Sequence, residues 1–204
     1  MCKMRNHASL RFLSKESKGM SVIEIFAALA SLIGVLLSMA KNSLAWVFNS
    51  IASGLYGYVF WQNSLYSDME LQGFFILMAV YGWWNWSRCE QDWKPEKSTI
   101  TQLSAGLAVA LLFGLGSGFL HLNYFPSVSF PFLDATLTGL SIYGTWLATQ
   151  RKIENWLVWI GADLIYVVMY VQKGLWTTAG LYFIFTLLAI KGYKDWLKPL
   201  KNRD

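Results

Sequence analysis

The chain has 204 residues, of which 55% are hydrophobic and 14% charged, and its formal net charge is +5. A soluble domain carries roughly a quarter charged residues, so this composition excludes an ordinary soluble fold and points to an integral membrane protein. The basic residues flank apolar runs and form no separate patch, which fits the positive-inside rule better than nucleic-acid binding.

Residues 1–20 form a polar tail with Lys3, Arg5, Arg11, Lys15 and Lys18. No cleavable signal is read there, because the tail is polar and the first apolar run is long enough to remain as a span. That first span covers about Ser21–Met39, and a Lys41-Asn42-Ser43 turn leads to the second, about Leu44–Gln62. A loop at Asn63–Glu70 precedes the third span, about Leu71–Trp86. Ser87–Ser98, with six charged residues among Arg88 to Lys97, reads as a water-exposed loop. The fourth span, about Thr101–Leu120, is rich in Gly and Ala, and the His121–Leu133 segment after it has no Asp, Glu, Lys or Arg. The fifth, sixth and seventh spans fall at about Asp134–Thr149, Asn155–Val171 and Leu175–Lys191, and Lys194 to Asp204 is a basic tail. About 20 residues cross the hydrocarbon as a helix and 17 are tolerated. Aromatic ends in the interface make up the difference for the shorter runs. The runs do not alternate as barrel strands do.

An internal repeat organises these spans. The run QGFFILMAVYGWWNW at 72–86 returns as YFIFTLLAIKGYKDW at 182–196, an offset of 110 residues. The same offset pairs Phe75 with Phe185, Gly82 with Gly192, Trp86 with Trp196, Trp46 with Trp156, Tyr56 with Tyr166, Gly34 with Gly144 and Glu24 with Asp134. Duplicated halves around a central site are a habit of membrane transporters. The expected architecture is therefore all-α: seven transmembrane helices as two parallel three-helix repeats joined by a linker helix. The expected divisions are a tail at 1–20, a first bundle at 21–87, loops and linker helix at 88–133, a second bundle at 134–193 and a basic tail at 194–204. Three plus one plus three helices is odd, so both repeats keep one orientation. Loop charges place the N-terminus outside and the C-terminus in the cytoplasm.

The polar chemistry falls on two equivalent faces. Trp46, Asn49, Ser53, Tyr56 and Phe60 recur at helical spacing on the second span, and Trp156, Trp159, Asp163, Tyr166 and Tyr170 on the sixth. Polar groups facing lipid would lack partners, so the two faces should turn inward. Asp163 lies mid-span, where an ionisable group costs roughly 2.5–3.5 kcal/mol on insertion scales. It either faces a wet cavity as a functional group or hydrogen-bonds between helices. Glu24 and Asp134 begin spans, where a carboxylate also suits a helix N-terminus. Gln72 and its counterpart Tyr182 begin the third and seventh spans, and Gln72 has donors and an acceptor for a carboxamide or ribose hydroxyls. Trp83 and Trp86 are open between an interfacial belt and a stacking wall for a flat, cationic ring. The two cysteines, Cys2 and Cys89, form no CxxC or Cys/His pattern. No phosphate loop, nucleophile–base pair or metal-ligand spacing is present, so no enzyme, cofactor or metal site is expected.

The run QGFFILMAVYGWWNWSR resembles the third-span signature of the PnuC family of bacterial nicotinamide riboside transporters. The runs IENWLVWIGADLIYVV and KGLWTTAGLYFIFTLLAIKGYKDW are similar to that family's sixth and seventh spans. The resemblance covers roughly 21–198. It implies a SWEET-like fold, a homotrimer in the bacterial inner membrane, and facilitated diffusion of nicotinamide riboside. Uptake would be trapped by a cytoplasmic kinase. Where family members often carry Asn in the sixth span, this chain has Asp163, and relatives of the family carry other vitamins such as thiamine. Proton coupling through Asp163 is the alternative mechanism. Adding Asn155 from the ENW run, the candidate substrate-binding residues are Trp46, Asn49, Gln72, Trp83, Asn155, Trp159, Asp163 and Tyr182.

Overall fold

A computed structural model describes residues 22–62, 66–89, 93–124, 131–172 and 174–201. The tail at 1–20 and the last residues, 202–204, lie outside them. The described residues form seven helices: α1 (Val22–Met39), α2 (Leu44–Gln62), α3 (Tyr66–Ser87), α4 (Ile100–Tyr124), α5 (Pro131–Thr149), α6 (Glu154–Gln172) and α7 (Trp176–Lys201). No strand occurs among the described residues, where a single bridge pairs Glu96 with Lys152.

Several helices run past the ends expected from hydropathy. α3 starts at Tyr66, so Asp68 and Glu70 fall in its first turns and not in a loop. α4 continues to Tyr124, which leaves 125–130 of the expected His121–Leu133 connection outside the described residues. Pro131 begins α5, and proline suits the first helical position because its missing N–H would be unpaired there anyway. α7 carries on through Lys201, well past the apolar run. Its overhang is held by Lys191 and Lys198, which both pair with Asp195. Asp195 is drawn below the usual carboxylate range by the hydrogen bond from Lys198, and next by that from Lys191.

The three helices α1, α2 and α3 pack in succession, as do α5, α6 and α7; α3 touches α5 and α1 touches α7, while α4 packs on α5. A stripe of small residues explains the last contact. Gly106, Ala110, Gly114 and Gly118 recur every four residues along α4. A Cβ on Gly106, Gly114 or Gly118 would overlap Tyr143, Thr136 or Phe132 of α5 respectively. Small residues let helix backbones approach closely where lipid offers no hydrophobic drive.

The turns α1–α2 and α5–α6 are built alike. Lys41 has φ of 59° and Arg151 has φ of 60°, the left-handed conformation that closes a helix. Lys41 N bonds Ser38 O at 3.0 Å and Asn42 N bonds Leu37 O at 3.0 Å; Arg151 N bonds Ala148 O and Lys152 N bonds Leu147 O, both at 2.9 Å. Each left-handed residue lies 110 positions from its counterpart, the offset of the sequence repeat.

The densest core lies at this end. Met39, Trp46, Trp86, Trp156 and Trp196 are buried together with Trp93. Trp93 comes from the stretch expected to be a water-exposed loop, yet it is 8% exposed. It is edge-on to Trp86 (4.8 Å) and to Trp196 (5.3 Å), and Lys41 and Arg151 both lie over its ring. The loop is strapped down by Glu96 N to Arg151 O (3.1 Å), Ile153 N to Glu96 O (2.9 Å) and the Lys152–Glu96 ion pair (2.8 Å).

The outer surface is apolar. Phe26, Leu77, Leu112 and Val168 are each more than half exposed, a patchwork that water would penalise and lipid would not. Val22–Met39, Ile100–Phe119 and Glu154–Gln172 are long and apolar enough to cross a bilayer.

Candidate functional site

A cavity of about 280 Å³ lies between the helices, and every helix except α4 contributes to its wall. α1 offers Ser31, Val35 and Ser38; α2 offers Trp46, Asn49, Ser53 and Tyr56; α3 offers Gln72, Phe75, Ala79 and Trp86. The other half supplies Thr145 and Ala148 from α5, Asn155, Trp156, Trp159 and Asp163 from α6, and Tyr182, Phe185, Ala189 and Trp196 from α7.

Seven of the eight residues singled out in the sequence meet here: Trp46, Asn49, Gln72, Asn155, Trp159, Asp163 and Tyr182. Trp83 does not. It is 48% exposed on the outer side of α3, whereas Trp86, three residues on, is 2% exposed and lines the cavity. The two tryptophans left open by the sequence thus separate: Trp86 belongs to the cavity and Trp83 to the surface. On α6, Tyr166 and Tyr170 share the expected face but sit behind the wall, where they pack on Tyr182 at 4.9 Å and 5.2 Å and fix its ring.

The walls need small residues behind them. A Cβ on Gly82 would penetrate the ring of Trp46, and one on Gly192 would come within 2.8 Å of the ring of Trp156. Gly34 likewise leaves room for the side-chain amide of Asn49. The glycines at 82 and 192, visible in the sequence only as a matched pair, therefore set where the two indoles lie.

The polar groups divide by whether the protein already uses them. Ser31 donates to Ala27 O (3.0 Å) and Thr145 to Ser141 O (2.7 Å), so their remaining capacity is as acceptors. Asn155 donates to Lys152 O at 2.6 Å. Trp86 Nε1 donates to Ala148 O at 3.1 Å and Trp196 Nε1 to Met39 O at 3.2 Å. The Nε1 groups of Trp46 and Trp156, a matched pair, are buried without a hydrogen bond in the protein. A buried donor left unsatisfied costs about 1–3 kcal/mol, so an acceptor in the cavity gains by meeting either one. Sequence reading put both indoles on inward-turning faces through the 110-residue offset but counted only Trp46 among the candidate binding residues; the cavity takes both.

The cavity is electrically simple. Among the described residues no Lys, Arg or His lines it, and Asp163 is the one carboxylate. No group of three or more His, Cys, Asp or Glu suited to a metal occurs among the described residues. Aromatic planes, neutral hydrogen-bonding groups and one acid suit a flat polar ring.

Comparison with known proteins agrees with this chemistry. The family model described as Nicotinamide mononucleotide transporter matches residues 21–198. The chain is 28% identical over 212 residues to "Nicotinamide riboside transporter PnuC" of Escherichia coli K12, covering 90% of this chain and 88% of that one. It is 25% identical over 179 residues to "Riboflavin/roseoflavin transporter RibM" of Streptomyces davaonensis, covering 81% and 79%. The solved structure titled "Crystal structure of the Vitamin B3 transporter PnuC" superposes with a TM-score of 0.71 at 19% identity, over 97% of this chain and 88% of that one; this is a likeness of fold.

Proposed function

This chain belongs to the nicotinamide mononucleotide transporter family, and we propose on that premise that it carries nicotinamide riboside across a bacterial inner membrane by facilitated diffusion. The observation that carries the reading is the cavity wall. Indole planes from both halves suit the pyridine ring, and Gln72 and Asn49 suit a carboxamide and ribose hydroxyls.

The wall also speaks for a nucleoside over a nucleotide, despite the family's description. A phosphate monoester is held by Arg, Lys or a run of backbone N–H groups. Among the described residues the cavity has no basic side chain, and Asp163 would repel the anion. Its size supports a one-ring compound: about 280 Å³ lies at the low end of ligand pockets, which run about 300–1,000 Å³. This weighs against a three-ring flavin such as the one named for the Streptomyces relative.

Two three-helix units with a linker helix supply the motion. The matched turns at Lys41 and Arg151 and the matched indoles at Trp46 and Trp156 support a parallel 3+1+3 arrangement, in which one bundle rocks on the other about a midplane site. Phosphorylation by a cytoplasmic kinase adds charge to the product and prevents its return. The resemblance further supports a homotrimer. The test is uptake of labelled nicotinamide riboside by liposomes holding the purified protein, with the mononucleotide, thiamine and riboflavin as competitors. The reading expects competition by unlabelled riboside and none by the mononucleotide; uptake blocked equally by the mononucleotide would overturn it.

A further inference from the structure

We propose that Asp163 is the counter-charge by which the cavity selects a cationic ring over a neutral ring of the same shape. The proposal rests on the reading of the site as one for a riboside, and it adds the property of the substrate that the site detects.

Asp163 is 4% exposed and sits midway along α6, between Glu154 and Gln172, with its side chain on the cavity wall. No Lys, Arg or His shares that wall among the described residues. The salt bridges among the described residues join Lys152 to Glu96 and Lys191 and Lys198 to Asp195, all at the far end of the molecule. A carboxylate in such a place is costly unless a positive charge accompanies it. The ring nitrogen of nicotinamide riboside is quaternary, so its charge is permanent. The faces of Trp46, Trp156 and Trp159 around the same space favour a cation over a neutral ring by their quadrupoles.

The repeat sharpens the argument. The equivalent position on α2 is Ser53, which is also buried and also lines the cavity. The two walls also differ at other matched positions, Asn49 against Trp159 and Gln72 against Tyr182, but among the described lining residues the Ser53–Asp163 pair is the one that differs in charge. The carboxylate at one of the two positions therefore holds the charged ring toward α6. Discrimination then comes from the penalty on the wrong ligand: a neutral ring leaves Asp163 buried without a partner.

The experiment uses the full chain in lipid nanodiscs and isothermal titration calorimetry. Two ligand pairs differ in charge but little in shape: nicotinamide riboside against its reduced, uncharged dihydropyridine form, and 1-methylnicotinamide against nicotinamide. The wild type should bind the cation of a pair at least about tenfold tighter than its neutral partner. In Asp163→Asn and in Asp163→Ser, which copies the α2 position, the cation should weaken and the neutral ligand should not, so that the preference disappears. A preference that survives in both variants overturns the assignment, as does a wild type without preference in either pair. If the ribosides fail to bind while 1-methylnicotinamide is preferred to nicotinamide through Asp163, the substrate reading falls and the charge selection stands.

Discussion

The indole of Trp196 donates a hydrogen bond to the main-chain carbonyl of Met39, 3.2 Å away and 157 residues earlier in the chain. Trp86 makes the reciprocal bond to Ala148 at 3.1 Å. The C-terminal part of α7 is thereby tied to the end of α1, and the last turn of α3 to the end of α5. Asn85 Nδ2 donates to Thr149 O at 2.7 Å beside the second of these ties, and Trp93 fills the gap between the two indoles.

Trp196→Phe removes the donor and puts a smaller phenyl ring in the place of a buried indole. It should destabilise the protein by more than the about 0.5–1.5 kcal/mol that one such bond is worth, because a cavity is left as well. A thermal unfolding scan in detergent checks this: Trp196→Phe and Trp86→Phe should each lower the midpoint, while Trp83→Phe, on the exposed side of α3, should not.

Gly82→Ala should misplace the Trp46 ring, because the added Cβ has no room. Overpacking of this kind costs about 1–3 kcal/mol, so weaker riboside binding and a lower unfolding midpoint are both expected. Gly180→Ala on α7, where a Cβ meets nothing within 4 Å, should leave both unchanged. Calorimetry on the three proteins decides it, and equal affinities would show that the indole position does not define the site.

Gln72→Ala and Asn49→Ala should weaken substrate binding by roughly tenfold each, about 1.4 kcal/mol, while Trp83→Ala leaves it unaltered. Normal affinity in both polar variants would move the site away from the α2 and α3 walls.

Much of this was legible in the chain because lipid and a central cavity impose opposite chemistry on opposite faces of a helix. The Trp46–Tyr56 spacing showed which side of α2 is polar, and the 110-residue offset showed which residues share equivalent places. What stayed hidden was the depth of a residue within a helix face. Trp83 and Trp86 are both tryptophans at a membrane end, and only the packing of α3 against α5 puts one inside and one outside. Trp93 was hidden for another reason. Hydropathy averages over a window, so one indole among six charged neighbours reads as loop, although it seals the core. Helix ends past the apolar runs were hidden likewise, since α7 continues as an amphipathic overhang stabilised by its own ion pairs.

Orientation rests on charge. Lys41, Arg88, Arg151, Lys152 and Lys198 all gather at the end of the molecule where α1, α3, α5 and α7 finish, and basic ends stay in the cytoplasm. A C-terminal fluorescent fusion should therefore be bright. A cysteine placed at Ser127 or Ser129 should react with an impermeant thiol reagent in intact cells; reaction only after permeabilisation would invert the topology.

The central claim is that transport runs down the gradient of the substrate itself. The direct measurement is uptake of labelled nicotinamide riboside into liposomes containing the purified protein, with the membrane potential clamped at zero by potassium and valinomycin, because the substrate carries charge. The account predicts that the inside concentration rises to the outside value and stops there, with or without a proton or sodium gradient, and that a riboside kinase and ATP enclosed in the liposomes drive further accumulation of label. Accumulation of unmodified riboside above the outside concentration under a proton or sodium gradient alone, abolished by Asp163→Asn, would contradict it and make Asp163 the coupling residue.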